Sequence, residues 1–116
     1  MNKTIASIGA AIALVSVVLF AVCMLIPFNF GSYFVCMLLP IGYIMMTAGF
    51  CEESDEKHKV AAYVGMTFAA IYAVLILLVY FAQTTAVRLD SLDEQAMRVL
   101  DYSRGGLFFS YDLLGY

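Results

Sequence analysis

The sequence predicts an all-α membrane protein: a helical transmembrane bundle with three full spans, an amphipathic connecting helix and an incomplete fourth apolar segment. Two stretches carry this prediction, because none of the 48 residues from Thr4 to Cys51 and none of the 28 from Val60 to Val87 is charged or a histidine. The composition agrees, since 64% hydrophobic and 13% charged residues leave too little polar surface for a soluble domain of 116 residues. We therefore predict a single membrane domain over residues 1–116.

Three stretches are each long enough to cross a bilayer, which takes about 20 apolar residues in a helix. The first apolar run is longer than the hydrophobic region of a signal peptide, which favours an uncleaved anchor. A turn containing Pro27 and Gly31 follows it, and a polar loop over residues 52–59 separates the second span from the third. The predicted spans cover residues 5–26, 33–51 and 60–82.

After the third span the pattern changes to that of an interfacial helix over residues 91–103. Ser91 and Glu94 form a capping box, and Glu94 is placed to pair with Arg98 one turn later. One face of this helix is apolar and the other is charged, which is typical of an amphipathic helix. The apolar face comprises Leu89, Leu92, Ala96, Val99 and Leu100, and the polar face comprises Asp90, Glu94, Arg98 and Asp101.

The last apolar segment, over residues 106–116, reaches only about 15 Å as a helix, half of a bilayer core. It is either a re-entrant or interfacial piece or the start of a span that continues in a longer chain, and we expect the latter. Asp112 is the one ionisable residue in the apolar segments of the sequence. If the segment enters the membrane, Asp112 is a functional carboxylate that faces the bundle and pairs with an arginine or a tyrosine. If the segment lies at the interface, Asp112 is simply solvated.

No catalytic, cofactor-binding or metal-binding residue is predicted. The sequence contains no GxSxG, HExxH, P-loop or Rossmann glycine pattern. The 52–59 loop has carboxylates and His58 but no ligand spacing, and Cys23, Cys36 and Cys51 show no CxxC pairing. A net charge of −3 without a basic patch gives no reason to expect nucleic acid as a partner. The expected surroundings are the lipid bilayer and either a second copy of the chain or further spans.

Helix packing is the clearest pattern within the membrane segments. Small residues at four-residue spacing let helix backbones approach closely, and the third span carries such a ridge. This helix-packing ridge comprises Ala61, Gly65, Ala69 and Ala73, and a similar pattern occurs in the first span. It is either a dimer face or a surface that packs on another span of the same protein. Tyr43 and Thr67 come to similar depth, which predicts an interhelical hydrogen bond between them.

The distribution of basic residues does not decide the orientation. Lys3, Lys57 and Lys59 fall on one side of the predicted topology, and three arginines fall on the other. The charge-free first loop favours a cytoplasmic N-terminus, with the 52–59 loop also in the cytoplasm.

The stretch from Phe81 to Tyr116 contains Gln83-Thr84-Thr85, the step Arg88-Leu89-Asp90 and Tyr102-Ser103-Arg104-Gly105-Gly106. It resembles the loop-and-span region of bacterial multi-span integral membrane proteins that have no assigned activity. The resemblance covers about a third of the chain and implies an inner-membrane location with further spans. From the residues we expect a non-enzymatic scaffold, partner-binding or sensing component. The alternative is the N-terminal part of a transporter or permease whose ionisable site lies mainly in later spans.

Overall fold

The computed structural model describes residues 1–89 and 92–116, and the described part is all-helical, with 85% of its residues in helices and no strand. Three helices are long and apolar enough to cross a membrane, which confirms the predicted fold class at this level. They are α1 (Asn2–Leu25), α2 (Asn29–Glu53) and α3 (Lys59–Ala82). A π-helical turn over Gln83–Val87 extends α3 beyond its regular end.

The C-terminal third consists of short elements. They are α4 (Glu94–Leu100), a 3₁₀ turn over Tyr102–Arg104 and α5 (Leu107–Gly115). The predicted capping residue Ser91 and the predicted polar-face residue Asp90 lie outside the described residues. The described helix starts after Asp93, whose carboxylate accepts a hydrogen bond of 2.7 Å from the backbone N–H of Ala96.

α4 is shorter than the interfacial helix predicted over residues 91–103 because the chain leaves the helix at Asp101. There the Asp101 carboxylate accepts a 2.9 Å hydrogen bond from the backbone N–H of Ser103 and thereby caps the 3₁₀ turn. The predicted ion pair between Glu94 and Arg98 is present at 3.6 Å, and Arg104 contacts the same Glu94 oxygen at 2.7 Å.

Glycines bring α1 and α2 into direct backbone contact. A Cβ atom placed on Gly42 would lie 2.7 Å from the carbonyl oxygen of Gly9 and 2.8 Å from the backbone nitrogen of Ala13. Near the other end of the pair, a Cβ atom on Gly49 would overlap the side chain of Ala6. The two helices gain van der Waals contact because these positions carry no side chain, which is how helices associate where no hydrophobic force acts between them.

α2 begins at Asn29, four residues before the predicted start of the second span. The expected loop residues Gly31 and Ser32 are buried within the first helical turn, and the Ser32 hydroxyl donates a 2.8 Å hydrogen bond to the carbonyl of Asn29. A Cβ atom on Gly31 would overlap the ring of Phe28 and lie 3.0 Å from Sγ of Cys23 in α1, so its lack of a side chain makes room both for the turn residue Phe28 and for packing against α1.

A hydrophobic core lies between α2 and α3. Its buried members are Cys36, Ile76 and Tyr80, with partly buried Tyr33, Met37 and Tyr72 around them. α5 packs mainly on α3, and a ring-to-ring distance of 5.8 Å between Tyr116 and Tyr72 brings its C-terminal end to the middle of α3.

The small-residue ridge of α3 divides into two halves. Ala69 and Ala73 are buried, whereas Ala61 and Gly65 are exposed. A Cβ atom on Gly65 would have no atom of the described residues within 4 Å. The packing role of the full ridge therefore stays a prediction, because its N-terminal half has no neighbour within the described chain.

The predicted hydrogen bond between Tyr43 and Thr67 is wrong. The Thr67 hydroxyl instead donates a 2.9 Å hydrogen bond to the carbonyl of Tyr63, one turn earlier in its own helix. A threonine in a helix satisfies its hydroxyl locally in this way, so matching depth in two helices does not imply a bond between them. Tyr43 packs edge-on against the ring of Tyr72, with the ring centres 5.5 Å apart.

Candidate functional site

The candidate site is the buried carboxylate of Asp112, which α5 turns towards α3. Asp112 is only 3% exposed, whereas the next two residues, Leu113 and Leu114, are 60% and 73% exposed. A helix in water would expose the aspartate and bury the leucines. The arrangement suits an apolar surrounding, in which leucine faces lipid and an ionisable residue faces the interior of the bundle.

Tyr80 provides the hydrogen bond to this carboxylate. Its phenol, on α3, donates to Oδ2 of Asp112 at 3.4 Å, and Tyr80 itself is 5% exposed. Oδ1 of Asp112 is buried and has no hydrogen-bond partner among the described residues. None of the ion pairs in the described part of the chain includes Asp112. A buried carboxylate with one of its two oxygens unpartnered is costly unless a proton or a cation neutralises it.

Aromatic rings surround the carboxylate. Tyr80 contacts Tyr33 of α2 and Tyr102 of the 3₁₀ turn, with ring centres 5.7 and 6.2 Å apart, and Tyr102 packs edge-on against Phe109 at 5.2 Å. Burial, together with the nearby Asp112 carboxylate, raises the pKa of Tyr102 to about 12, so this phenol is neutral at physiological pH. The site thus combines one carboxyl group with neutral phenols, which are hydrogen-bond donors and acceptors.

Gln83 fixes the position of Tyr102. This glutamine, the first residue of the π-helical turn, is 3% exposed. Its amide nitrogen donates a 2.6 Å hydrogen bond to the carbonyl of Leu100, and its amide oxygen accepts a 3.0 Å bond from the backbone N–H of Tyr102. One side chain therefore joins the end of α3 to the segment that carries Tyr102 over the site.

Of the residues singled out from the sequence, Asp112 lies at this site, and its partner is a tyrosine, one of the two residue types expected. Of the helix-packing ridge, Ala69 and Ala73 are buried on α3, as are Ile76 and Tyr80. The sequence reasoning missed Tyr80, Tyr102 and Gln83. A signal for Tyr80 was present, because Tyr72, Ile76 and Tyr80 follow at four-residue spacing and so share one helix face.

Other polar groups of the described chain form no comparable site. His58 pairs with Asp55 in the exposed 52–59 loop, and the described residues contain no group of three or more potential metal ligands. The three cysteines are free. Comparisons of the chain with protein-family models, with curated proteins and with solved structures found no match.

Proposed function

We propose that the protein is a non-enzymatic component of a membrane transporter or permease, in which Asp112 takes up and releases a proton or a cation inside the helix bundle. The observation that supports this most is the 3% exposed carboxylate with one unpartnered oxygen. Ionisable residues at such positions mark ion and proton pathways in membrane proteins. This is the transporter alternative from the sequence, and the buried carboxylate favours it over a purely structural role.

The side chains around Asp112 do not neutralise the charge of its carboxylate, so neutralisation depends on a proton or a cation from elsewhere. Tyr80 on α3 donates to the carboxylate, and Tyr33 of α2 and Tyr102 of the 3₁₀ turn pack against Tyr80. None of these carries a positive charge. A permanent lysine or arginine partner would hold the carboxylate ionised, whereas neutral phenols permit it to exchange a proton or a cation.

The test uses infrared spectroscopy of the full chain reconstituted in lipid vesicles. The wild-type protein should show the C=O stretching band of a protonated carboxyl group that disappears reversibly as the pH rises. Asp112→Asn should abolish this band, whereas Asp101→Asn should retain it because Asp101 is engaged with Ser103 and Arg104 outside the spans. An identical titrating band in the wild-type protein and in Asp112→Asn would contradict the proposal.

We propose a bacterial inner-membrane location for this component, following the resemblance of its C-terminal third. A scaffold or partner-binding role is the second candidate, and the exposed half of the helix-packing ridge supports it. Ala61 and Gly65 of α3 present a small, exposed strip against which another membrane helix has room to pack. Gly65→Leu should then lower association between purified chains in lipid bicelles without unfolding a single chain. Unchanged association would remove this candidate.

A further inference from the structure

A groove beside the Asp112 site lies between α2, α3 and α5 and has a volume of about 760 Å³. Small-molecule sites in proteins typically have volumes of about 300–1,000 Å³. Its lining residues include Leu39 and Phe68, which are apolar, and none of the described residues that line it is charged. Phe68 is 68% exposed and lies in α3, which is long and apolar enough to cross a membrane, so in a bilayer the groove would open sideways towards lipid rather than towards water.

Three tyrosines form one wall of the groove. The rings of Tyr43 and Tyr72 meet edge to face at 5.5 Å, and those of Tyr72 and Tyr116 meet edge to face at 5.8 Å. Each of the three lines the groove. The faces of aromatic rings carry partial negative charge and attract cations, most strongly where water is excluded.

α5 connects this wall to the carboxylate. Tyr116, the residue after α5, follows Asp112 by four residues, so the two lie on one side of the helix and ~6 Å apart along its axis. Gly115, between them in sequence, also lines the groove, and a Cβ atom on it would lie 3.4 Å from the Ile76 side chain, so this end of α5 packs closely on α3. Asp112 does not itself line the groove, so a positive charge held against Tyr116 would lie about one helical turn from the carboxylate, in surroundings that screen charge weakly.

We propose that this groove binds a lipophilic organic cation, whose apolar groups occupy the space between α2, α3 and α5 and whose positive charge is neutralised by Asp112. The apolar lining and the lateral opening select a ligand that dissolves in the membrane, and a small hydrated cation would lose its water there without replacement ligands. The aromatic wall and the carboxylate select positive charge over neutral or anionic ligands. This inference rests on the proposed function of Asp112 as an ion-binding carboxylate and names the class of its substrate.

The probe is tetraphenylphosphonium, a permanently charged lipophilic cation, and binding to the full chain in lipid nanodiscs is measured by equilibrium dialysis. Triphenylphosphine oxide, of similar shape but uncharged, is the control ligand. We expect Asp112→Asn to weaken binding of the cation by about tenfold or more. Tyr116→Leu should weaken it roughly two- to tenfold, because the groove keeps its apolar lining but loses an aromatic face. Tyr63→Leu, outside the groove on the exposed surface of α3, should bind as the wild-type protein does.

A second measurement on the wild-type protein does not depend on whether the variants fold. A bound cation stabilises the ionised carboxylate, so adding tetraphenylphosphonium at fixed pH should reduce the infrared band of the protonated carboxyl group. Equal binding of the cation and the neutral control, or an infrared band that the cation leaves unchanged, would overturn the inference. If the band still titrated with pH in that case, proton exchange at Asp112 would stand and only the cation groove would be rejected. If no band assigned to Asp112 titrated, the proposed function itself would fail.

Discussion

At the scale of single residues, polar side chains inside the bundle are held by few, specific partners. Asp112 has one hydrogen bond, from Tyr80, while the amide of Gln83 uses both of its ends on backbone groups of a different segment. The contrast has a functional meaning. Both ends of the Gln83 amide are hydrogen-bonded, so this side chain has a structural role, whereas Asp112 keeps one oxygen available for an ion.

The two hydrogen bonds of the Gln83 side chain lead to a prediction about stability. Gln83→Leu keeps a similar volume but leaves the Leu100 carbonyl and the Tyr102 N–H without their present partner, which should cost about 1–3 kcal/mol of unfolding free energy. Chemical unfolding in mixed detergent micelles measures this loss. Gln95→Leu, at an exposed position of α4, is the matched control and should leave stability nearly unchanged. Equal stability of the two variants would show that the hydrogen bonds of Gln83 contribute nothing to the free energy of unfolding.

At the scale of elements, the glycines of this chain serve two different purposes although they look alike in the sequence. Gly9 and Gly42 lie where α1 and α2 touch backbone to backbone, whereas Gly65 faces open space on α3. The close approach of α1 and α2 matters because the helices cannot rely on a hydrophobic force to hold them together within lipid. The position of a glycine relative to a neighbouring helix, not its place in a repeat, decides its contribution.

This difference predicts opposite effects of one substitution at two positions. Gly42→Ala places a methyl group 2.7 Å from the Gly9 carbonyl oxygen, so the helices must separate, at a cost of about 1–3 kcal/mol. Gly65→Ala meets no atom of the described residues and should be neutral or stabilising by up to ~1 kcal/mol, because alanine is the better helix former. Equilibrium unfolding in bicelles compares the two variants. A destabilised Gly65→Ala beside an unaffected Gly42→Ala would refute this account of the interface.

At the scale of the whole molecule, the three long helices place the basic residues at two ends of the bundle. Lys3 pairs with Glu53 at 3.6 Å, so the N-terminus and the 52–59 loop share one end. Arg88, Arg98 and Arg104 follow the third span at the other end. α5 then turns back from the arginine end along α3, which places Asp112 beside Tyr80.

We predict that the lysine end of the bundle is cytoplasmic. Ser54→Cys, in a chain whose three native cysteines are replaced by alanine, should resist a membrane-impermeant maleimide added to intact cells and should react after the cells are opened. Ser103→Cys at the arginine end is the control and should react in intact cells. Ready labelling of position 54 from outside would reverse the orientation.

The sequence by itself determined the fold class, because long continuous apolar stretches satisfy their backbone hydrogen bonds in lipid as helices, whereas the strands of a membrane barrel alternate apolar and polar residues. It also singled out Asp112, since a carboxylate in an apolar segment is rare enough to be noticed without a structure. The tertiary structure alone decided that this carboxylate is buried, that Tyr80 and Tyr102 surround it and that Gln83 holds Tyr102 in place. These contacts join residues up to 32 positions apart, and helical periodicity describes only neighbours within one helix. The same reason explains why the predicted Tyr43–Thr67 bond was wrong: equal depth in two helices says nothing about which way each side chain turns.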